Sequence, residues 1–254
     1  MKQISKMEKW IAHGKECSEA DVHIICFPFA GGTASNYACW KNFFPESYAV
    51  CPVLYPGRER RAAEQMPENL EMLAEAFVRE NESLFERPFV LFGQCTGATV
   101  AYEVVREIRK QYNKAPILFV ASGAVSPRTP AISGTGRMTD EELIKFLLDS
   151  GRITEEALRI PMFMEYYFPV MKADFAMLEK YKYPGDFMLP CPILTIKGDK
   201  DTLATEEEFE KWREYAPKGN FHLEVEGEHY FLDSQMETIC SAITKYVKEI
   251  LNVN

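Results

Sequence analysis

Apolar positions along the chain fall into two alternating patterns. Short runs of β-branched and aromatic residues, of the kind that form buried strands, are separated by stretches with apolar residues at helical spacing. "VHIICFPF" predicts a strand that ends in the glycine loop "AGGTAS", and "YAVCPVLYPG" predicts the next strand and its turn. Residues 68–86 place Leu70, Leu73, Phe77 and Leu84 near helical spacing. "PFVLFGQ" is a buried strand feeding the helix "ATVAYEVVREIRKQY", and "APILFVASGAVS" and "CPILTIKGD" are two more. "NFHLEVEGEH" alternates Phe221, Leu223 and Val225 with polar neighbours before a last amphipathic helix, "TICSAITKYVKEILN". Strands alternating with helices predict an α/β fold with a mostly parallel central sheet flanked by helices. A length of 254 residues suits one domain spanning 1–254.

One stretch breaks the alternation. From about 135 to 185 there is no strand pattern; a capping box, Thr139 to Glu142 in "TDEE", opens a helical segment that continues through "IPMFMEYYFPVMKADFAMLEKYKYP". An apolar insertion outside the sheet pattern predicts a helical lid over a site at the strand ends; the competing reading is a helical layer of the core. Met162, Phe163, Met164, Phe168 and Met171 are candidates to line an apolar channel beneath such a lid, with packing against the body as the alternative.

Composition narrows the classes of function. With 46% hydrophobic and 26% charged residues and no repeats, the chain has the make-up of an ordinary globular protein, and its net charge of −9 opposes nonspecific binding to nucleic acid or anionic membranes. The amino-terminal segment has no apolar core of signal-peptide length and no later run is long enough to span a bilayer, so the expected location is the cytoplasm. The seven cysteines (17, 26, 39, 51, 95, 191 and 240) are scattered, without C-x-x-C pairs or Cys/His clusters, which disfavours a disulfide framework or a metal site. Most sit in apolar runs as buried, inert thiols.

Cys95 is different. "GQCTG" carries the glycine spacing of a nucleophile elbow, G-x-S-x-G, with cysteine in place of serine, between a strand and a helix. Such an elbow needs a base and an orienting acid further along the chain. Of the four histidines, His13 and His23 precede the nucleophile and His222 is outward-facing in an alternating strand; His229, just past a strand end in "EGEHYF", is the candidate base. Asp199 and Asp201, at the end of "TIKGDKDTL", are both candidates for the acid, and spacing does not choose between them. The oxyanion donors would be the amide of Thr96 and one from the glycine loop near Phe29 or Ala30. "YPGRERR" puts Arg58, Arg60 and Arg61 on a loop, where they would contact a phosphate or carboxylates, or else form a structural cluster.

"FPFAGG", "YPGRERR", "GQCTGATVAYE", "VSPR", "KADFAMLEKY", "CPILTIKGDKD" and "GEHYFL" together resemble the successive motifs of the type II thioesterases of polyketide and nonribosomal peptide synthesis, over nearly the whole chain. The resemblance implies an α/β-hydrolase fold with a helical lid. It implies a triad of Cys95, Asp201 and His229, oxyanion amides at Ala30 and Thr96, and acyl groups carried on the phosphopantetheine arms of carrier-protein domains, with no cofactor of the enzyme's own. The family usually reads G-H-S-M-G and F-P-H-A-G-G, so this chain departs at Phe29, Gln94, Cys95 and Thr96; Phe29 and Gln94, with Met164 and Phe168, are the substrate-binding candidates. A thiol next to imidazole is a competent acyl acceptor. Thioester hydrolysis is the leading expectation, an acyl- or aminoacyltransferase shuttling between carriers is the alternative, and a noncatalytic carrier-binding protein is the third.

Overall fold

The computed structural model describes residues 6–12, 17, 19–129, 134–135, 138–149, 153–185 and 187–253. Six strands, β1 (Val22–Phe27), β2 (Tyr48–Pro52), β3 (Phe89–Gln94), β4 (Leu118–Ser122), β5 (Ile193–Gly198) and β6 (Asn220–Val225), pair in parallel in the order β2-β1-β3-β4-β5-β6. This is the α/β architecture expected. Helices α1 (Lys6–Trp10), α2 (Leu70–Glu80), α3 (Thr96–Tyr112), α4 (Asp140–Asp149), α5 (Glu155–Leu158), α6 (Phe168–Glu179), α7 (Glu206–Glu214) and α8 (Met236–Val253) complete the chain.

Parallel strands covered on both faces read as continuous apolar runs because successive side chains enter opposite layers. Leu91 joins Ile25, Phe27, Phe77 and Tyr102 in one core, whereas its neighbours Val90 and Phe92 join Ile24, Trp40, Ile239 and Ile243 in the other. Truncation of a side chain as enclosed as Phe92 costs about 3–5 kcal/mol in such cores. β6 is one of the two sheet edges, and its alternation is weak: Phe221 and Leu223 are only half-buried, with Phe221 stacked on Tyr246 of α8.

The predicted elements shift at their ends for identifiable reasons. The helix expected over 68–86 stops at Glu80, where the Asn81 side-chain amide donates to the Phe77 carbonyl and the chain turns into a short 3-10 segment. α7 lies in a stretch without a predicted element: it is glutamate-rich, and only Phe209, Trp212 and the hydrogen-bonded Glu208 are buried.

The chain connects β1 outward to β2, then returns to place β3 on the other side of β1. In open α/β sheets, ligand crevices form outside the carboxyl ends of strands at such a reversal. The glycine loop follows β1 and the elbow follows β3, so topology alone brings them to one crevice.

The segment over 135–185 contains α4, α5, a π-helical turn at Phe163–Tyr167 and α6. The Thr139 capping box forms, with Thr139 N donating to Glu142 and Glu142 N donating to Thr139 Oγ1 at 3.2 Å. Leu143, Leu147, Ile153, Phe168, Met171 and Phe175 form their own apolar cluster against Ala30, separate from the two sheet cores. This helical cap therefore sits directly on the loop after β1.

Candidate active site

Cys95 stands between the last residue of β3 and the first of α3 with φ 50° and ψ −122°, a backbone state that costs a non-glycine residue about 1–3 kcal/mol. The surrounding structure imposes it: Cys95 N donates to the Ser122 carbonyl at 2.8 Å, and helix and strand meet with no space for side chains. A Cβ on Gly93 would lie 2.3 Å from Ala98 Cα, and one on Gly97 would lie 2.2 Å from the Phe27 carbonyl oxygen. The two glycines of the motif are thus required by close approach. The partly exposed Cys95 thiol is held at the positive end of the 17-residue α3, which favours a thiolate and a developing oxyanion alike.

The loops after β5 and β6 are forced together in the same way, since a Cβ on Gly198 would meet the Gly227 carbonyl oxygen at 2.4 Å. That contact brings Asp201 to His229. His229 Nδ1 lies 2.9 Å from Asp201 Oδ2, and Asp201 Oδ1 accepts the amides of Leu203 at 2.8 Å and Ala204 at 3.1 Å. Asp199 instead accepts the Gly227 amide at 2.8 Å and braces the loop. Geometry thereby chooses between the two aspartates. Burial disfavours the Asp201 carboxylate, but the His229 hydrogen bond and charge, with the two amides, hold it below its usual value. Burial also works to lower His229; the Cys95 thiolate charge, the Asp201 hydrogen bond and the contact with Cys95 outweigh it and push the imidazolium up to about 10. Nε2 makes no conventional hydrogen bond in the resting geometry, so its coupling to Cys95 is mainly one of charge.

Other expected site residues take different places. The Ala30 amide is not directed at open space but donates to Thr96 Oγ1 at 2.7 Å. Gln94 does not face a substrate: it is fully buried, with Nε2 3.4 Å from the His229 carbonyl, because the residue before the elbow points back under the catalytic loop. Phe29 packs edge-to-face with Tyr230, ring centroids 5.8 Å apart, and the Tyr230 ring lies 5.1 Å from that of His229. Both aromatics border a cavity of about 740 Å³, whose far wall is Ile153, Phe163, Tyr167 and Met171. Met164 and Phe168 do not line it. Phe163, Tyr167 and Met171, at i, i+4 and i+8 through the π turn and into α6, line the cavity, while Phe168 is buried in the cap's own core. None of Cys95, Asp201 and His229 lines this cavity itself; Tyr230, next to His229, is its nearest wall residue to them, and a second depression of about 650 Å³ between α2 and α3 is lined by Glu71, Glu103, Arg106 and Lys110.

The arginines of "YPGRERR" are structural. Arg58 is fully buried, donating to the Gly32 carbonyl at 2.9 Å and to both carboxylate oxygens of Asp174 in α6. Arg61 donates to the Leu54 carbonyl and to Glu64, and lies over the Trp10 ring; Arg60 binds main-chain carbonyls of 8–12. Arg58 and Arg61 are buried away from any phosphate, whereas Arg60 is exposed. Of the remaining histidines, His23 is buried within β1 between the carbonyls of Leu84 and Cys17, His222 is half-buried beside Thr195 and Phe209, and His13 lies outside the described residues. Cys39 is exposed rather than buried, unlike Cys17, Cys26, Cys51, Cys191 and Cys240.

A strained nucleophile elbow, an Asp-braced histidine and a helical cap on a parallel sheet define an α/β-hydrolase. The thioesterase domain family matches residues 22–247, and the chain belongs to that family. It is 33% identical over 238 residues, 93% of each chain, to the gramicidin S biosynthesis protein GrsT of Aneurinibacillus migulanus, and 28% identical to the thioesterase PikA5 of Streptomyces venezuelae over 94% of this chain and 85% of that one. The solved structure of RedJ, a thioesterase from the prodiginine biosynthetic pathway in Streptomyces coelicolor, superposes with a TM-score of 0.79 at 29% identity, covering 89% of this chain and 91% of RedJ. Among the described residues no helix is long and apolar enough to cross a membrane.

Proposed function

We propose that this thioesterase hydrolyses acyl groups from phosphopantetheine thioesters on carrier-protein domains of a polyketide or nonribosomal peptide synthase, through an acyl-Cys95 intermediate. The observation that carries the reading is His229, hydrogen-bonded to Asp201 at 2.9 Å on one nitrogen and coupled to Cys95 through the other. The pathway names of the similar proteins support the carrier-bound substrate.

In the proposed cycle Cys95 attacks as the thiolate, with His229 beside it held as the imidazolium. Sγ attacks the thioester carbonyl, the C–S bond to the arm breaks, and the departing pantetheine thiolate takes the proton from His229 Nε2. Acylation removes the thiolate charge that holds the imidazolium up, so in the acyl-enzyme burial pulls His229 toward the neutral form. Neutral His229 is then a base: it takes a proton from water as the hydroxide oxygen attacks the acyl carbon, and collapse expels the Cys95 thiolate and restores the pair. The products are the free acid and the carrier thiol, and the arm belongs to the partner, so the enzyme needs no cofactor.

Mixing the enzyme with an acyl-loaded carrier and following free acid by mass tests this. Release should be lost in Cys95→Ala and strongly reduced in His229→Ala; normal release by either variant would overturn the proposal. Acyl appearance on a second, empty carrier with no free acid would establish transfer instead.

A further inference from the structure

The hydrogen bond between Ala30 N and Thr96 Oγ1, 2.7 Å long, occupies the place where a loop amide would meet an oxyanion. Both residues are buried, Thr96 to 4% exposure. A hydroxyl accepts and donates at once. Here its acceptor side is taken by Ala30, and among the described residues no hydrogen bond accounts for its proton. Thr96 follows the nucleophile directly, so its side chain and its own amide both border the carbonyl that Cys95 attacks.

We propose that the Thr96 hydroxyl is a catalytic oxyanion donor, which relays the Ala30 amide to the substrate; this rests on the acyl-Cys95 reading above. As the Sγ–C bond forms, the carbonyl π pair moves onto oxygen. That oxygen receives hydrogen bonds from Thr96 O–H and Thr96 N–H, while Ala30 N–H polarises the hydroxyl from behind. No proton is transferred to the oxyanion, and collapse re-forms the carbonyl as the arm's sulfur leaves.

Two considerations favour the relay over a hydroxyl that merely plugs the site. Chained hydrogen bonds strengthen each other, and this chain needs only rotation of one hydroxyl proton, so the donor is preorganised. Swinging Oγ1 aside would require a new χ1 state of a buried β-branched residue, and one of the two alternatives puts its methyl against the Ala30 amide. The relay also gives a reason for threonine beside cysteine. A carbon–sulfur bond is longer than a carbon–oxygen bond, so an acyl group on Cys95 carries its oxyanion farther from the elbow, and a hydroxyl extends the reach of the Ala30 amide.

The test compares wild type, Thr96→Val, Thr96→Ala and Thr96→Ser in turnover of an acyl-loaded carrier. A second readout is the ionisation of the hemithioketal that Cys95 forms with a trifluoromethyl ketone analogue of acyl-pantetheine, followed by NMR. Relay predicts that Val and Ala lower kcat by about 10²-fold with little change in KM. It also predicts that the hemithioketal ionises about one pH unit or more higher in both, and that Ser restores both quantities. If Thr96 is only a plug, Val and Ala free the Ala30 amide, kcat holds or rises, and the hemithioketal ionises as easily as before; that result overturns the proposal. Should Thr96→Val not fold, the Ala and Ser pair carries the same contrast. Wild-type enzyme that forms no Cys95 adduct with acyl carrier would strike the acyl-cysteine reading, whereas a normal adduct with unaltered Val and Ala variants would strike the role of Thr96 alone.

Discussion

Asp174, in helix α6 of the cap, and Arg58, in the loop after β2, form a fully enclosed bidentate pair, and the same carboxylate accepts the amide of Gly31 at 2.8 Å. Gly31 adjoins Ala30, whose amide donates to Thr96 Oγ1, so the cap helix is fastened to the loop after β1 beside the elbow. Any movement of the cap that keeps this pair intact must leave α6 on the loop.

Breaking that pair should cost both stability and turnover. Asp174→Asn leaves the buried Arg58 charge uncompensated, for which about 3–5 kcal/mol is expected in urea unfolding, and it loosens Gly31. kcat should fall with it. The exposed pair of Asp140 and Lys172 in the same cap is the control, and Asp140→Asn should shift stability by no more than about 0.5 kcal/mol. Equal effects from the two substitutions would show that Asp174 has no special hold on the loop.

The charge state of His229 gives a pH prediction. Its folded value of about 10 lies above its ordinary 6.5, so the stability it contributes is fully present below about 6.5 and is lost as pH rises through about 10. Asp201 is held low, so its contribution is present above the ordinary carboxylate value and is lost as pH falls through the lowered one. In Cys95→Ala the thiolate charge is absent. Imidazole resonances of His229 should then titrate well below about 10, and the Tm advantage of wild type over the variant should shrink from neutral pH towards pH 10. Identical titration in the two proteins would mean that Cys95 and His229 are not a charge pair.

Acyl selection should follow the walls of the cavity. Phe29→Ala removes one half of the aromatic pair that stands between the cavity and His229, and should raise relative kcat/KM for long or bulky acyl groups. Phe163→Ala should reorder the acyl series, whereas Met164→Ala should not, because only Phe163 lines the cavity. A matching reorder from Met164→Ala would place the acyl group elsewhere in the cap.

The candidate triad could be read from the sequence because each part is a local signal at a strand end. Gly93, Cys95 and Gly97 mark the elbow, and His229 alone falls after both the nucleophile and a strand. Asp199 and Asp201 could not be separated by spacing, since the choice depends on the contact between the loops at Gly198 and Gly227. The burial of Arg58 was hidden for the same reason: its partner Asp174 lies 116 residues away, and a run of arginines reads as solvent-facing until that partner is known. The apolar, methionine-rich character of the segment named Met162, Phe163, Met164, Phe168 and Met171 together, and only Phe163 and Met171 of these line the cavity, because composition does not tell which face of the π turn and α6 points inward. Nothing in the local pattern of Thr96 reports its bond to Ala30, 66 residues earlier. For α7, a capping pattern from Thr205 to Glu208 followed by Phe209 and Trp212 at helical spacing was present as a signal.

The central claim is that Cys95 carries the acyl group on its way to water, and intact mass spectrometry of the enzyme during a single turnover with acyl-loaded carrier tests it most directly. The account predicts an adduct of the acyl mass that maps to Cys95, decays as free acid appears at the same rate, and, when His229 is replaced by alanine, forms more slowly for want of the imidazolium and then persists for want of a base for water. Free acid forming at the wild-type rate with no adduct at Cys95, or an adduct that decays only when an empty carrier is supplied, would contradict it.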